Sequence, residues 1–277
     1  MQPVRLRYTY ELLKAYGAFE DSESLLITPR VATEEELRLL HSNDYISVVQ
    51  GLSRGQEGLD AQRYGFSSQG DNPIYPGMYD AASLSTGASM VAAKMVASKQ
   101  VDVAFNISGG LHHAAPNHAS GFCIFNDPAI AINYLLEQNL RVVYVDIDAH
   151  HGDGVQNAFF DNNRVLTISL HESGQYLFPG TGFVQERGLG VGEGYAVNIP
   201  FYPHTDDDVY LWAFNEVVPP LIRGFAPDVL VTQLGIDSYH SDPLTHLKLT
   251  SRGYIQAVQL FAGMGIPWLA FGGGGYD

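Results

Sequence analysis

Six short apolar segments beyond residue 100 restrict the fold of this chain more than any other feature of its sequence. They cover residues 103–107, 142–147, 165–170, 196–199, 229–234 and 268–271, and helix-like segments such as 128–137, 206–224 and 251–263 separate most of them. Strands that are apolar on both faces and alternate with helices indicate a parallel sheet that is covered on both sides. The sequence therefore predicts an α/β domain with a mostly parallel central sheet flanked by helices.

The first hundred residues are predicted to be mostly helical. Residues 7–16 carry a helical apolar pattern that stops at Gly17, and Thr33-Glu34-Glu35-Glu36 resembles a capping box that opens a helix with Leu37, Leu39 and Leu40. A long Ala/Ser/Met-rich helix is predicted over residues 78–98, after a Gly/Ser/Asn/Pro-rich loop at 65–77. Neither an internal repeat nor an interdomain linker is evident, so residues 1–277 are predicted to form one domain.

Polar clusters follow most of the predicted strands at the point where each strand ends. They are SGGLHH after the first, DIDAHHGD after the second, SLHES after the third, GIDSYHSD after the fifth and GGGGYD after the sixth. Ligands of open α/β sheets bind outside the carboxyl ends of the strands. We therefore expect these five segments to converge on one functional edge.

The segment 146–153 predicts a metal site, because it places three carboxylates and two imidazoles within eight residues. The period of a strand puts Asp146, Asp148 and His150 on one side. Asp148 and His150 can then reach one ion, Asp146 lies one layer behind, and Asp237 can add a third ligand. Such a site can hold an activated water, and zinc is preferred although Fe(II) and Mn(II) also accept these ligands.

Two further features point to catalysis at the same edge. His112 and His113 follow a strand, and a catalytic pair needs carboxylates behind it, for which Asp146 and Asp153 are available. Tyr276 follows four glycines, and a phenol at this edge can donate a hydrogen bond to a developing oxyanion.

Composition narrows the partners and the compartment. The formal net charge of −15 argues against direct binding of nucleic acid, and it is compatible with cationic substrates. Cys123 is the single cysteine, no apolar run reaches transmembrane length, and the N-terminus lacks the apolar core of a signal peptide. We expect a cytoplasmic protein that does not bind membranes, and the sequence leaves its oligomeric state open.

The motifs GGLHHA, SGFCIFND, VDIDAHHGDGV, FPGTG, QLGID, DP and FGGGGY together resemble the histone deacetylase family, in particular its bacterial acetoin-utilisation members. The resemblance extends from about Arg5 to Tyr276. It implies a three-layer fold related to arginase, with an eight-stranded parallel sheet. It also implies zinc bound by Asp148, His150 and Asp237.

The resemblance assigns roles to the remaining site residues. His113, paired with Asp153, would be the general base and then acid; His112, paired with Asp146, would stabilise charge; and Tyr276 would polarise the acetyl carbonyl. A tunnel for the acyl-lysine stem would be lined by Gly121, Phe122, Phe178 and Leu244, with Asp71 at the rim. An inner K⁺ or Na⁺ site maps to Asp146, Asp148, His150, Ser169 and Leu170, and an outer one to Phe159, Asn162, Val165 and Tyr195.

Relatives also begin with a strand before the position of Arg5 and continue with helices beyond Tyr276. The resemblance therefore implies a catalytic domain that is truncated at both ends, and the loss of an edge strand would expose one edge of the sheet.

Three functions remain open at this stage. The preferred one is hydrolysis of acetyl-lysine in a protein or peptide to lysine and acetate, and the second is deacetylation of acetylpolyamines or other acylated amines. A catalytically silent acyl-binding protein is the third. A ureohydrolase such as arginase is disfavoured, because the positions that would hold its second manganese are Gly152 and Tyr239, which cannot bridge a second cation.

Overall fold

The computed structural model describes residues 4–21 and 23–277. The helices are α1 (Val4–Ala15), α2 (Glu34–Leu37), α3 (Asn43–Ser53), α4 (Met78–Ala97), α5 (Asp127–Glu137), α6 (Asp153–Ala158), α7 (Asp207–Phe225) and α8 (Ser251–Ala262). The strands are β1 (Val103–Asn106), β2 (Val142–Asp146), β3 (Val165–Glu172), β4 (Ala196–Phe201), β5 (Val229–Gln233) and β6 (Trp268–Phe271). Each of the six predicted strands is present within about two residues of its predicted bounds.

The six strands form one sheet in the order β1-β6-β5-β2-β3-β4, and every pair of neighbours is parallel. This arrangement confirms the predicted α/β domain. The expectation of eight strands is wrong for the part of the chain that the structure describes, and the sequence itself supplies only six apolar segments of strand length.

Helices cover both faces of the sheet, because the inner strands are apolar on both sides. Along β2, Val143 and Val145 pack into a cluster with residues of α7 and α8, whereas Val142 and Tyr144 pack into a second cluster with residues of α4 and α5. All side chains of β2, β3, β5 and β6 are buried. Three layers result, with the sheet in the middle.

The edge strand β1 departs from the prediction of strands covered on both faces. Val103 and Phe105 are 54% and 51% exposed, whereas Ala104 packs against the cluster that contains α4 and α5. One face of this strand therefore remains open at the edge of the sheet.

The predicted capping box begins a shorter helix than expected. The Thr33 side chain accepts from Glu36 N–H and the Glu36 side chain accepts from Thr33 N–H, which confirms the box. The helix ends at Leu37, so the expectation that it carries Leu39 and Leu40 is wrong. Ser42 already caps α3, and the intervening His41 turns inwards, where its ring accepts from Asn126 N–H.

No helix in residues 4–21 and 23–277 combines the length and the apolar character that crossing a membrane requires.

Candidate metal centre and active site

The crevice between β2 and β5 is the topological switch point of the sheet. From β2 the chain proceeds outwards through β3 to β4, and from β5 it proceeds in the opposite direction to β6. Ligands of open parallel sheets bind outside the strand ends at such a point, because the following connections diverge and leave a crevice. Asp148 and His150 follow β2 here, and Asp237 follows β5.

These three residues form the only group of metal-ligand type found among the described residues. One ligand atom from each of Asp148, His150 and Asp237 lies within 4.8 Å of the other two, and all three residues are buried. His150 Nδ1 lies 2.8 Å from Asp237 Oδ2 and 3.1 Å from Asp148 Oδ1. Three atoms that could bind a metal ion thus face one another at the predicted site.

The other oxygens of the two carboxylates are already used by the protein. Asp148 Oδ2 accepts from Gln233 Nε2 at 2.7 Å and from Gly274 N–H at 2.9 Å. Asp237 Oδ1 accepts from Ala149 N–H at 2.7 Å. Each carboxylate is therefore held in orientation by one oxygen while the other faces His150.

The electrostatics of this group suit a cation. Burial, together with the charge of Asp148, raises the pKa of Asp237. Burial alone would also raise the pKa of Asp148, but the charge of His112 and the hydrogen bond with His150 hold it well below its usual range. Two buried carboxylates share one imidazole, so a divalent cation held by Asp148, His150 and Asp237 would relieve the repulsion between the carboxylates. The residues present therefore fit a metal ion.

Glycines surround these carboxylates because no side chain would fit there. A Cβ at Gly235 would lie 2.1 Å from Asp148 Oδ2, and one at Gly274 would lie 2.2 Å from Asp237 Oδ2. The glycine run 272–275 thus approaches the candidate metal group closely at Gly274.

Both histidines of the predicted pair are hydrogen-bonded to the predicted carboxylates. His112 Nδ1 lies 2.7 Å from Asp146 Oδ2, and His113 Nδ1 lies 2.7 Å from Asp153 Oδ1. The centroids of the two imidazole rings are 4.0 Å apart. The His113 ring lies 6.1 Å from that of His150. The pair therefore borders the candidate metal group.

The two imidazoles have opposite pKa shifts. Burial and the neighbouring charge of His112 lower the pKa of His113 to about 4. Burial would lower the pKa of His112 as well, but the charges of Asp146 and Asp148 raise it to about 9. At neutral pH the pair therefore consists of a neutral His113 beside a protonated His112.

The hydrogen-bonded side chains of His112 and Asp146 leave no room for a side chain at Gly152. A Cβ at Gly152 would lie 2.4 Å from Asp146 Oδ2 and 3.1 Å from His112 Nδ1. The space that a second metal-binding side chain would need at this position is occupied by the hydrogen bond of His112 with Asp146.

Tyr276 lies at the predicted edge, and its ring is 6.2 Å from that of His150 and 5.9 Å from that of Phe122. Burial raises the pKa of its phenol far above the usual value, so the hydroxyl keeps its proton. Its backbone N–H donates to Asp242 Oδ2 at 2.8 Å. The tyrosine is therefore tethered beside the candidate metal group.

Aromatic side chains adjoin these groups. Phe178 lies 5.1 Å from the His113 ring and 6.4 Å from the His150 ring. A Cβ at Gly121 would lie 2.5 Å from His113 Cδ2 and 2.9 Å from Phe178 Cε1, so the glycine fits tightly between them. The two predicted tunnel residues Gly121 and Phe178 and the predicted catalytic residue His113 are thus in mutual contact.

Two predicted substrate residues lie further out. Asp71 is exposed in the loop between residues 65 and 77, and the adjacent Asn72 is buried and donates to Gly65 O at 3.3 Å. Leu244 is 43% exposed, and its N–H donates to Asp242 Oδ1 at 2.9 Å.

Comparison with known proteins gives the family. The histone deacetylase domain matches residues 1–277, that is, the whole chain. The chain belongs to the histone deacetylase family. Members of this family are metal-dependent hydrolases, and the deacetylase resemblance seen in the motifs is confirmed.

Individual relatives agree with this assignment. The acetoin utilization protein AcuC of Bacillus subtilis is 46% identical in an alignment of 280 positions that covers 99% of this chain and 72% of that protein. Human histone deacetylase 1 is 40% identical in an alignment of 279 positions that covers all of this chain and 57% of that protein. The chain thus spans little more than half of the human relative.

Solved structures show the same fold. The crystal structure of a histone deacetylase homologue from Aquifex aeolicus superposes with a TM-score of 0.86 at 37% identity, over 93% of this chain and 69% of that one. A structure of a histone deacetylase homologue complexed with SAHA gives the same TM-score and identity.

The predicted inner monovalent-cation positions lie on neighbouring strands. Asp146 and Ser169 are register partners of β2 and β3, and Leu170 follows directly. Ser169 Oγ lies 2.8 Å from His171 Nδ1, and Asp146 Oδ1 accepts from Asp148 N–H. Register alone therefore brings these residues together.

The outer positions lie around the start of β3. Asn162 N–H donates to Phe159 O, and Asn162 Oδ1 accepts from Arg164 N–H, so one turn contains both residues. Val165 begins β3, and Tyr195 O accepts from Thr167 N–H. A cation at either place stays a prediction.

Three residues that support the site were not singled out from the sequence. Gln233 donates to Asp148, Asp242 holds both Tyr276 and Leu244 by their N–H groups, and Tyr144 donates to Asp146 Oδ2 at 2.6 Å. Arg5 adds a fourth contact, since its Nη2 donates to Gly273 O. Gln233 and Asp242 stand in the motifs QLGID and DP, which were the only sequence signal for them.

Proposed function

We propose that this chain hydrolyses the amide of acetyl-lysine in proteins or peptides to lysine and acetate. One observation carries the proposal: the buried group of Asp148, His150 and Asp237 borders His112 and His113, each hydrogen-bonded to a carboxylate, at the switch point of the sheet. Amide hydrolysis needs activation of the carbonyl, a base for the attacking water and an acid for the leaving amine.

The ligands in this proposal are Asp148, His150 and Asp237. Zinc is the preferred ion, because imidazole and carboxylate ligands suit it, although Fe(II) and Mn(II) also accept this set. When bound, the ion supplies Lewis acidity that polarises the acetyl carbonyl and lowers the pKa of a water molecule.

His113 is the proposed general base and acid. Asp153 fixes a proton on His113 Nδ1, which leaves Nε2 as the acceptor. A neutral imidazole can take a proton from the attacking water and then give it to the amine as the C–N bond breaks.

His112 and Tyr276 are the proposed stabilisers of charge. Asp146 holds His112 in its protonated form, so the ring places a positive charge beside His113. The phenol of Tyr276 remains protonated and can donate to the oxygen that becomes negative when water attacks the carbonyl.

Phe122 and Phe178 support a substrate with an apolar stem. Both rings contact residues of the candidate centre, Phe122 through Tyr276 and Phe178 through His113 and His150. Such walls suit the neutral four-carbon stem of acetyl-lysine. Gly121 and Leu244 complete the proposed tunnel, and Asp71 would bind the substrate backbone at its rim.

Monovalent cations are proposed as structural ions. K⁺ or Na⁺ would bind at Asp146, Ser169 and Leu170 with the backbone of Asp148 and His150, and a second ion would bind around the start of β3. The cytoplasm is proposed as the compartment, in line with the single, buried Cys123.

Acetylpolyamines are the second candidate substrates, because the net charge of −15 favours cationic molecules. A panel of acetyl-lysine peptides and acetylated polyamines, assayed with and without a chelator, separates the candidates. We expect a higher kcat/KM for the peptides, and loss of turnover with the chelator. A higher kcat/KM for acetylpolyamines would show that these, and not acetyl-lysine peptides, are the preferred substrates. A folded, zinc-loaded chain that turns over neither would instead support a catalytically silent acyl-binding protein.

A further inference from the structure

Asn126 and Asp127, the last two residues of the motif SGFCIFND, have no role in the proposed site. Both are completely buried at the beginning of α5. Asn126 caps the helix, since its Oδ1 accepts from Ala129 N–H at 3.0 Å. A cap uses only that oxygen, so the amide nitrogen of Asn126 and the carboxylate of Asp127 require another explanation.

Both groups bind the backbone on either side of the histidine pair. Asn126 Nδ2 donates to His112 O at 3.2 Å and to Ala114 O at 2.9 Å. Asp127 Oδ2 accepts from Gly110 N–H at 3.1 Å, and Asp127 Oδ1 accepts from Leu111 N–H at 2.9 Å. Two adjacent side chains thus hold two donors and two acceptors within residues 110–114.

The pair is itself anchored to other parts of the fold. Ser89 Oγ on α4 donates to Asp127 Oδ2, and Asn106 Nδ2 at the end of β1 donates to Ser89 Oγ at 2.8 Å. The N–H of Asn126 donates to His41 Nε2 at 3.0 Å. The start of α5 therefore has a fixed position relative to α4 and β1.

Packing leaves no room for these contacts to rearrange. A Cβ at Gly109 would lie 2.5 Å from Asp127 Oδ2, and one at Gly154 would lie 2.7 Å from Asn126 Nδ2. The backbone of α6 and the segment before the histidines therefore close directly onto the pair.

The carboxylate of Asp127 is not explained by an ion pair. Among the described residues no Lys, Arg or His forms a salt bridge with it. Burial raises the pKa of Asp127 to about 6, so the charged form is costly here. The two N–H groups before the histidines, together with Ser89, are what this charge binds.

We propose that Asn126 and Asp127 are positioning residues, which fix the backbone of residues 110–114 and thereby aim the imidazoles of His112 and His113. This inference rests on the proposed deacetylation for its effect on rate. The pair touches neither the candidate metal ligands nor the tunnel residues through its side-chain hydrogen bonds, so it would act through the histidines alone.

Two nearly isosteric variants test the pair. Asn126→Asp keeps the capping oxygen and replaces the amide nitrogen, which donates to His112 O and Ala114 O, by an oxygen that can only accept. Asp127→Asn replaces one of the two carboxylate oxygens, which accept from Gly110 N–H and Leu111 N–H, by an amide nitrogen that can only donate. Misplacement of a catalytic group by about 1 Å lowers the rate on the order of 100-fold. We expect a fall of about that size in kcat for each variant, with KM and metal content little changed.

Asn133→Asp is the matched control. Asn133 lies on the same helix, and its Nδ2 makes the same kind of bond, to Leu39 O at 2.8 Å, outside the histidine segment. We expect a lower melting temperature and an unchanged kcat. An equal loss of kcat in this control would show that the effect is only structural and would overturn the proposal.

A second readout does not depend on activity. In Asn126→Asp and Asp127→Asn, the N–H groups of Gly110 and Leu111 should exchange with solvent faster, and the downfield proton resonances of the His112 and His113 Nδ1–H groups should shift. Ser89→Ala, a milder change for which folding is a smaller concern, should shift them in the same direction. Unchanged exchange and unchanged resonances in a folded variant would overturn the proposal even if the chain deacetylates nothing.

Discussion

Two groups of buried charge in this molecule differ in how they are neutralised. In the N-terminal helical region, Glu36 binds Arg30 at Oε2 and Oε1 and Lys94 at Oε1, and it also accepts from Thr33 N–H. In the crevice between β2 and β5, Asp148 and Asp237 share His150, which is the one side chain among the described residues that can carry positive charge within salt-bridge distance of them.

The pKa shifts express this difference. Burial would raise the pKa of Glu36, but its hydrogen bonds with Arg30 and Lys94 lower it to about 2. In the crevice, burial and the charge of Asp148 instead raise the pKa of Asp237. Glu36 is paired with cations, so its charge stabilises the fold. Asp148 and Asp237 have one imidazole between them, so a bound cation would be attracted by the remaining negative charge.

The largest effect is expected from Asp237→Asn, which removes one charge from the crevice and leaves the shape. Metal content, measured by elemental analysis of the purified chain, should fall to a small fraction of an ion, and hydrolysis of an acetyl-lysine peptide should fall to background. The control is Asp206→Asn, an exposed cap of α7 whose side chain accepts from Val209 N–H. Retention of the metal by Asp237→Asn would contradict the assignment.

His113→Ala should lower kcat by about 100- to 10,000-fold, because a general base is lost. Metal content should stay unchanged, since His113 binds Asp153 and none of the three ligands. Single-turnover and steady-state rates on the same peptide measure this loss. His118→Ala changes an exposed ring whose Nδ1 lies 3.0 Å from Asn117 Oδ1; it is the control and should be fully active. A metal-free His113→Ala chain would instead place this histidine among the ligands.

Chelation should lower the melting temperature of the wild-type chain by several degrees, because a ligand that binds only the folded state stabilises it by about 3–4 kcal/mol when present at 100 to 1,000 times its Kd. The Asp237→Asn chain should show no such shift. Thermal melts with and without chelator measure both, and an equal shift in both chains would place the stabilising ion elsewhere.

Glu36→Gln should leave metal and activity unchanged and lower the free energy of unfolding by about 1–2 kcal/mol, a value reduced for the solvent around its partners. Arg30 and Lys94 are 40% and 43% exposed at the side chain. Since the folded pKa lies below the usual 4.5, this stability is present above about pH 4.5 and is lost as the pH falls towards 2. Denaturant unfolding across this range tests the sign: the wild type and the variant should converge in acid.

The bounds of the strands could be predicted from the sequence because each strand is a run of consecutive apolar residues. The sequence could not give their order, which depends on crossovers, nor the exposed face of β1, which depends on that strand lying at the edge. The helix beginning after Thr33 was predicted too long, because the inward turn of His41 towards Asn126 depends on a contact 85 residues away.

The same distinction applies to the site. Asp148 and His150 stand two residues apart after a strand, so their proximity could be predicted from the chain alone. Gln233 and Asp242 act through partners that are 85 and 34 residues away, Asp148 and Tyr276, and only the folded structure joins them.

The central claim is that Asp148, His150 and Asp237 hold one catalytic cation. It is tested most directly by adding zinc in small steps to the chelator-treated chain and following hydrolysis of an acetyl-lysine peptide. We predict that activity rises linearly and reaches its plateau at one zinc ion per chain. A plateau at two ions per chain, or no activity at any zinc concentration, would contradict the account.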